Sequence, residues 1–304
     1  MSTISADELK EFLARFVSNE LGEAEQTLES LQSASPKFPG SSLSVLIWLT
    51  ECASKYGSLS RCYREAACVI HANHGRSEDV RDALARAAFA QLQVFELEPK
   101  PATVQEEELL EELRTYKCAT NCLDGFHLSL GAGEFGIARR LAGFARNLPL
   151  KQDFFTDIQE PVVGRPLAYS IRDLVENHPE RALAHLADVV PANDGEEKYL
   201  FQADMIRGMA TGDAGLFSDS LGRLLTRQAR LCAEQPFPVD IAVAQLCIPA
   251  LALANLAVYR RFLPLAVLEG WIGDNNPHLP FGLLKLAAEW PGETVALSRC
   301  SMRL

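Results

Sequence analysis

The stretch Asp240-Ile-Ala-Val-Ala-Gln-Leu-Cys-Ile-Pro-Ala-Leu-Ala-Leu-Ala-Asn-Leu-Ala-Val-Tyr259 carries almost nothing polar on any face. A helix apolar all round is buried in protein or lies in lipid. Its length approaches that of a membrane span. Gln245, Pro249 and Asn255 are spread along it, however, and its alanines suit close approach of neighbouring helices. We read it as a central core helix. Pro249 lacks the N–H of one helical hydrogen bond and crowds the carbonyl of Gln245, which predicts a kink there.

Working outward, Glu196–Met209 reads as a helix that opens on Asp194 with Glu197 three residues later, an acidic capping box. Thr211-Gly212-Asp213 is a tight turn: Gly212 can take the left-handed conformation and Asp213 can cap the next helix. That helix carries Leu216, Phe217, Leu221, Leu224 and Leu225 on one face. Arg223, Arg227 and Arg230 lie on the other, near the helix C-terminus, and read as a solvated or internally paired face rather than an anion site. Pro236 and Pro238 stop the helix. Leu130-Gly131-Ala-Gly133-Glu134 follows the same plan, a helix ending at glycine with an acidic residue next, which is the mark of an αα-hairpin.

The expected fold is therefore all-α: an irregular, α-solenoid-like array of antiparallel helical hairpins around a buried apolar helix at about 240–260. One domain, 1–304, is expected, with Pro99 and Pro101 marking a subdivision into halves 1–98 and 103–304. Capping boxes open helices at Ser5 with Glu8 and at Thr103 with Glu106, the latter predicting one long helix to Leu130. Ser41 or Ser42 caps a helix that Gly57-Ser58 breaks, and a further helix spans Leu59–Ala72. Ser77 or Asp79 caps the next. Residues 147–166 form the longest irregular segment, and long irregular segments often carry function. Helices follow from Pro166 to Leu174, over Glu180–Val190, briefly from Pro264 to Leu268, and over Phe281–Trp290. Gly270–Pro277 reads as a turn-rich loop, and Thr294–Leu297 is ambiguous between strand and coil.

At 304 residues the chain can bury a large core, and its formal net charge is −11. That balance excludes nucleic-acid phosphate as the main partner, which needs clustered Lys and Arg. It suits a basic protein. Most of the eight cysteines sit inside apolar helical patterns, where a thiol is a small hydrophobe. The N-terminus shows no charged-then-apolar signal segment, so a reducing cytoplasm is expected.

Cys68, His71 and His74 recur every three residues, so two of them could share a metal, but no fourth ligand is evident. A core cysteine with two surface imidazoles explains them as well. Cys118 and Cys122 face the same way and read as two packed thiols. Glu176, His178, Glu180 and His185 form a local acid–imidazole cluster that a pocket could turn to acid–base work. No HExxH, phosphate-cradling Gly-Lys-Ser/Thr loop or nucleophile elbow occurs. Gly131 with Gly133, and Gly270 with Gly273, lack a preceding strand, so no dinucleotide fingerprint is present. No cofactor or metal is expected. Glu106, Glu107, Glu108, Glu111 and Glu112 have the strongest claim among charged groups, as an acidic surface for a basic partner or as a helix start that suits the dipole. Asp153 and Asp157 in the long loop, and the acidic segment from Asp7 to Glu29, compete with them.

Gly212-Asp213 between helices, the Pro236-Phe-Pro238-Val-Asp240 break, and the apolar Cys247–Ala257 run ending in Arg260-Arg261 resemble the all-helical immunity protein 49 family of bacterial polymorphic toxin systems. The likeness covers this stretch and nothing in the N-terminal half. It implies a cytoplasmic protein that binds and neutralises a cognate toxin without chemistry of its own, and it transfers no role to a single residue. Two alternatives stay open. A helical scaffold for a peptide would show a concave apolar groove. An enzyme would show a deep pocket of converging ionisable groups, around His178 and His185 among other places.

Overall fold

The computed structural model describes residues 41–97, 104–149, 163–187, 189–190, 196–234, 243–273 and 276–289, with scattered positions between 11 and 33. Among the described residues the chain is all-α, with 12 helices and no strand. In order they are α1 (Ser42–Ala72), α2 (Ser77–Glu96), α3 (Val104–Tyr116), α4 (Ala119–Gly131), α5 (Phe135–Phe144) and α6 (Gly164–Val175). The second half supplies α7 (Pro179–Leu186), α8 (Glu197–Thr211), α9 (Ala214–Glu234), α10 (Ile248–Tyr259), α11 (Leu265–Ile272) and α12 (Phe281–Glu289).

Helix α10 is the buried apolar helix, and every residue from Ala250 to Ala257 is enclosed by its neighbours. It packs on α4, α8, α9 and α12. Each buried leucine contributes about 1.5–3 kcal/mol by leaving water, so Leu251, Leu253 and Leu256 hold it from different sides. Asn255, only 2 % exposed, is its polar exception. The Asn255 amide donates from Nδ2 to the carbonyls of Leu130 (2.9 Å) and Gly131 (3.1 Å). These sit in the last turn of α4, where helical carbonyls lack an intrahelical donor.

Helix α4 is the second pivot, touching α2, α5, α6 and α10. Consecutive helices also pair: α1 with α2, α4 with α5, α6 with α7, α8 with α9. An open solenoid has contacts between neighbouring units alone. Here α10 returns to α4 and α12 returns to α2, which closes the array on itself.

Both predicted hairpin turns form. Gly212 has φ 78°, the Asp213 N–H bonds to the Gly208 carbonyl (2.9 Å), and Asp213 Oδ1 caps α9 by accepting from the Leu216 N–H (2.9 Å). Gly133 has φ 74°, with Gly133 N–H to Leu130 O (3.0 Å) and Glu134 N–H to Ser129 O (2.7 Å). That paired pattern is a Schellman ending. Ser41 caps α1, its Oγ accepting from the Ser44 N–H at 3.4 Å.

Several boundaries differ from expectation, each for a tertiary reason. Helix α1 runs straight through Gly57-Ser58. A helical glycine costs only about 1 kcal/mol, and Ala53, Leu59 and Tyr63, buried on either side of it, outweigh that. The long helix expected from Thr103 to Leu130 is instead two, α3 and α4, parted at Lys117-Cys118. Lys117 turns away to donate from Nζ to the carbonyls of Phe95 (3.0 Å) and Leu97 at the end of α2. Asn121 meets the Tyr116 carbonyl (2.8 Å), and Pro149 accepts from the Ala119 N–H (3.0 Å), so both new ends are satisfied.

Pro249 does not kink a continuous helix. The chain is helical at 243–245, breaks at Leu246-Cys247 and restarts, with Pro249 in the first turn of α10. There its missing N–H costs nothing. His278 occupies the break: its carbonyl accepts from the Cys247 N–H (2.9 Å) and its Nδ1 lies 2.7 Å from the Gln245 carbonyl. Gly270, Trp271 and Ile272 are helical rather than looped, and α7 ends at Leu186, short of Val190. The Asp194 cap, Pro36–Gly40, Thr294–Leu297 and most of 147–166 lie outside the described residues.

The two turn glycines make a matched test. A Cβ at Gly212 would meet nothing within 4 Å, so Gly212→Ala should cost about 1–2 kcal/mol, the left-handed strain alone. A Cβ at Gly133 would lie 2.8 Å from the Ala287 Cβ and 3.0 Å from its Cα. Gly133→Ala should therefore lose a further 1–3 kcal/mol or so from overlap with α12. Urea midpoints of the two variants measure the difference.

Candidate functional site

A cavity of about 270 Å³ opens where α1, α4, α8, α9 and the approach to α10 meet. Each helix contributes residues at helical spacing. Arg64 and Cys68 are four apart on α1; Asp124, His127 and Leu128 share one face of α4; Lys198 and Gln202 share one face of α8. From α9 come Leu224, Arg227, Gln228 and Leu231, a full apolar-and-polar stripe. Val243, Leu246, Cys247, Ile248 and Pro249 close the end. The break before α10 is what brings the chain here, and Gln228 Nε2 fastens it by donating to the Ala244 carbonyl.

The polar groups are unevenly placed. Asp124 stands at the half-exposed mouth, 4.0 Å from Arg64. His127 (5 % exposed) and Gln202 (1 % exposed) lie at the inner end. His127 Nε2 and Gln202 Oε1 are both buried, and the two side chains interact with each other. Burial drives the His127 imidazole down to about 3; the charge of Lys198 adds to this and a side-chain hydrogen bond with Gln202 opposes it. The ring is therefore neutral near pH 7. Burial also lowers Lys198, helped by Arg227 and opposed by Asp124. The thiols of Cys68 and Cys247 are pushed up to about 12 by burial.

His127, Cys68 and Cys247 are each shifted away from the values that acid–base or nucleophilic work uses near pH 7. A general base works best with a value near the working pH, and His127 sits far below it. A nucleophilic cysteine needs a lowered value, and both thiols here are raised.

The predicted site residues fall elsewhere. Glu107 and Glu111 are exposed on α3, and Arg114 bridges both, 3.4 Å from Glu107 Oε1 and closer to Glu111 Oε1. Asp153, Asp157 and the side chains of Glu106, Glu108 and Glu112 lie outside the described residues. Cys68, His71 and His74 do not converge: Cys68 is buried, His71 Nε2 lies 2.6 Å from the Pro277 carbonyl, and His74 is exposed at the helix end with φ 56°. Among the described residues no three His, Cys, Asp or Glu side chains gather as a metal would need. His178, Glu176 and Glu180 are exposed, whereas His185 Nε2 sits 3.1 Å from buried Asp173, which also pairs with Arg172 at 2.7 Å. That network ties α6 to α7.

Of the charged residues lining the cavity, Arg227 alone is singled out by sequence, as part of a solvated or paired face; Cys68 is weighed there as a metal ligand and Pro249 as a kink. His127, an imidazole between the apolar residues Phe126 and Leu128, is the available signal.

Glu134, buried in the turn before α5, is raised to about 7, chiefly by burial, with Arg81 opposing and Asp82 assisting. A carboxyl raised in the folded state contributes stability at low pH that is lost as pH rises through the folded value. Glu134→Gln and the parent should match below the ordinary value of 4.5. The variant should become more stable, by on the order of 2 kcal/mol, as pH passes 7. His127 acts in the opposite sense: its stability is present above 6.5 and lost as pH falls toward 3. Urea midpoints across this pH range check the divergence.

Comparison of the chain with protein-family models, with curated proteins and with solved structures finds no match. Among the described residues no helix is long and apolar enough to cross a membrane.

Proposed function

We propose that this chain is a non-catalytic binding protein that engages a basic protein partner through its acidic exterior, as the immunity-protein likeness implies for a cognate toxin in the cytoplasm. The observation that carries the reading is the exposed Glu107–Glu111 pair on α3. Helix α3 packs on α1 at the edge of the array and leaves this pair outward. One arginine bridges two carboxylates, so the patch keeps net negative charge while its side chains are held in place. Pre-positioned charge loses less freedom on binding, and a net charge of −11 speeds capture of a basic partner.

The competing scaffold reading needs an exposed apolar groove. The large apolar side chains exposed among the described residues, Ile47, Val190, Tyr259 and Trp271, stand on four separate segments. Tyr259 is moreover occupied, stacked on Phe135 at 3.8 Å between ring centres and hydrogen-bonded by Arg139.

Affinity capture from the native host, with the parent and with Glu107→Lys/Glu111→Lys, tests the proposal. A basic protein should be retained at low salt, and the reversed charges should slow its association about tenfold or more. That protein should arrest growth when expressed alone and not when co-expressed with this chain. Retention indifferent to both salt and charge reversal would end the electrostatic reading, and a captured protein without toxicity would end the immunity reading.

A further inference from the structure

We propose that Lys198 is a covalent attachment point: its amine, in the wall of the cavity between α1, α4, α8 and α9, condenses with a small aldehyde or ketone that has an apolar body. This goes beyond the acidic-surface reading and rests on different residues.

The first observation is where the amine stands. Lys198 is the second residue of α8, and it lines the cavity together with Gln202, one turn further on. A cation in the first turn of a helix meets the positive end of the dipole, the end that disfavours it. Lys198 is half-buried, and among the described residues no carboxylate lies within ion-pair distance of it. Its Nζ lies 4.9 Å from the centre of the Tyr199 ring, a contact that favours the ammonium but offers it no negative charge.

The second observation is protonation. Burial holds the amine below its ordinary value, Arg227 adds to this, and Asp124, Cys247 and Glu196 oppose it. Burial is the largest of these effects, and it holds whatever else Arg227 and Asp124 touch. Desolvation, or a neighbouring cation, is how a lysine becomes a nucleophile near neutral pH. The other nucleophiles of the cavity are poor rivals: the thiols of Cys68 and Cys247 are pushed up to about 12 and stay protonated.

The third observation is the wall. Leu128, Leu224, Leu231 and Leu246 line the same cavity. They would hold an apolar body with its carbonyl carbon beside Nζ, which turns a chance collision into a positioned one. The cavity, at about 270 Å³, has the volume of about nine liquid waters. That admits a phenyl or six-carbon compound and excludes a dinucleotide or a folded peptide. The Nζ lone pair forms a bond to the carbonyl carbon, and the C=O π pair moves onto oxygen. The nitrogen gives up a proton and the oxygen takes one, through water. Loss of that oxygen as water leaves a C=N bond, so one amine and one carbonyl yield one imine and one water with no change of oxidation state.

Reductive trapping of the full chain at pH 7 tests this, with benzaldehyde or hexanal as probe, cyanoborohydride as hydride donor, and peptide mapping by mass. An adduct should form at Lys198 about tenfold faster or more than at any other amine of the chain. Glyceraldehyde, which lacks the apolar body, should lose that preference. Lys198→Arg, shown to be folded by thermal unfolding, should lose the fast adduct, and the Glu107→Lys/Glu111→Lys protein should keep it, so failure here and failure of the partner reading are distinct. The proposal is overturned if Lys198 in the parent labels no faster than the other lysines, a result that needs no variant. It is also overturned if glyceraldehyde shows the same preference, or if folded Lys198→Arg gives the fast adduct unchanged.

Discussion

The side-chain amide of Asn255 reaches the carbonyls of Leu130 and Gly131 in a place closed to water, and two helices far apart in sequence are joined there. Apolar burial can hold α10 against its neighbours at many rotations and offsets, because the helix is greasy on every side. A directional hydrogen bond cannot be met at more than one. The amide therefore sets how α10 is turned and how far it slides along α4, while the surrounding leucines and alanines supply the attraction. The same contact completes the end of α4, just where the chain turns at Gly133 and heads into α5. From this junction α4 meets α2, α5 and α6, and α10 meets α8, α9 and α12.

Much of that architecture was legible in residues. The apolar run around Asn255 could only be a core helix once lipid was set aside. Gly212-Asp213 and Gly133-Glu134 announced their turns through the backbone conformation that glycine permits. The misplaced boundaries share one cause. Gly57-Ser58 read as a break because local propensity disfavours a helix there, but the packing of α1 on α2 overrides it. Lys117-Cys118 read as helix because nothing local forbids it, but Lys117 is drawn to the end of α2 and Asn121 finishes α3. Pro249 read as a kink because the carbonyl that displaces the helix belongs to His278, distant in sequence.

The cavity was not legible for a related reason. Its charged and polar residues come one or two from each of four helices, and no local spacing joins Arg64 to Asp124 or Lys198 to Arg227. Sequence drew attention instead to runs, such as Glu106–Glu112 and Glu176–His185, where charges are adjacent. In the fold the first presents an exterior pair steadied by Arg114, and the second divides between solvent and the Asp173 network. The two regions answer different needs. The exterior presents acidic side chains to solvent, whereas the cavity gathers polar and charged groups from several helices. The break before α10 serves both fold and cavity, since it interrupts the helix at Gln245, admits His278 and borders the cavity.

The direct measure of this account is the stability of Asn255→Leu, which replaces an amide with an apolar side chain of similar size in an apolar setting. If the amide orients α10 on α4, the variant loses roughly 1–3 kcal/mol in urea unfolding, because the Gly131 carbonyl is left buried and unmet while the Leu130 carbonyl keeps only the Gly133 N–H. If packing alone places the helix, the substitution is neutral or stabilising, and that result would contradict the account.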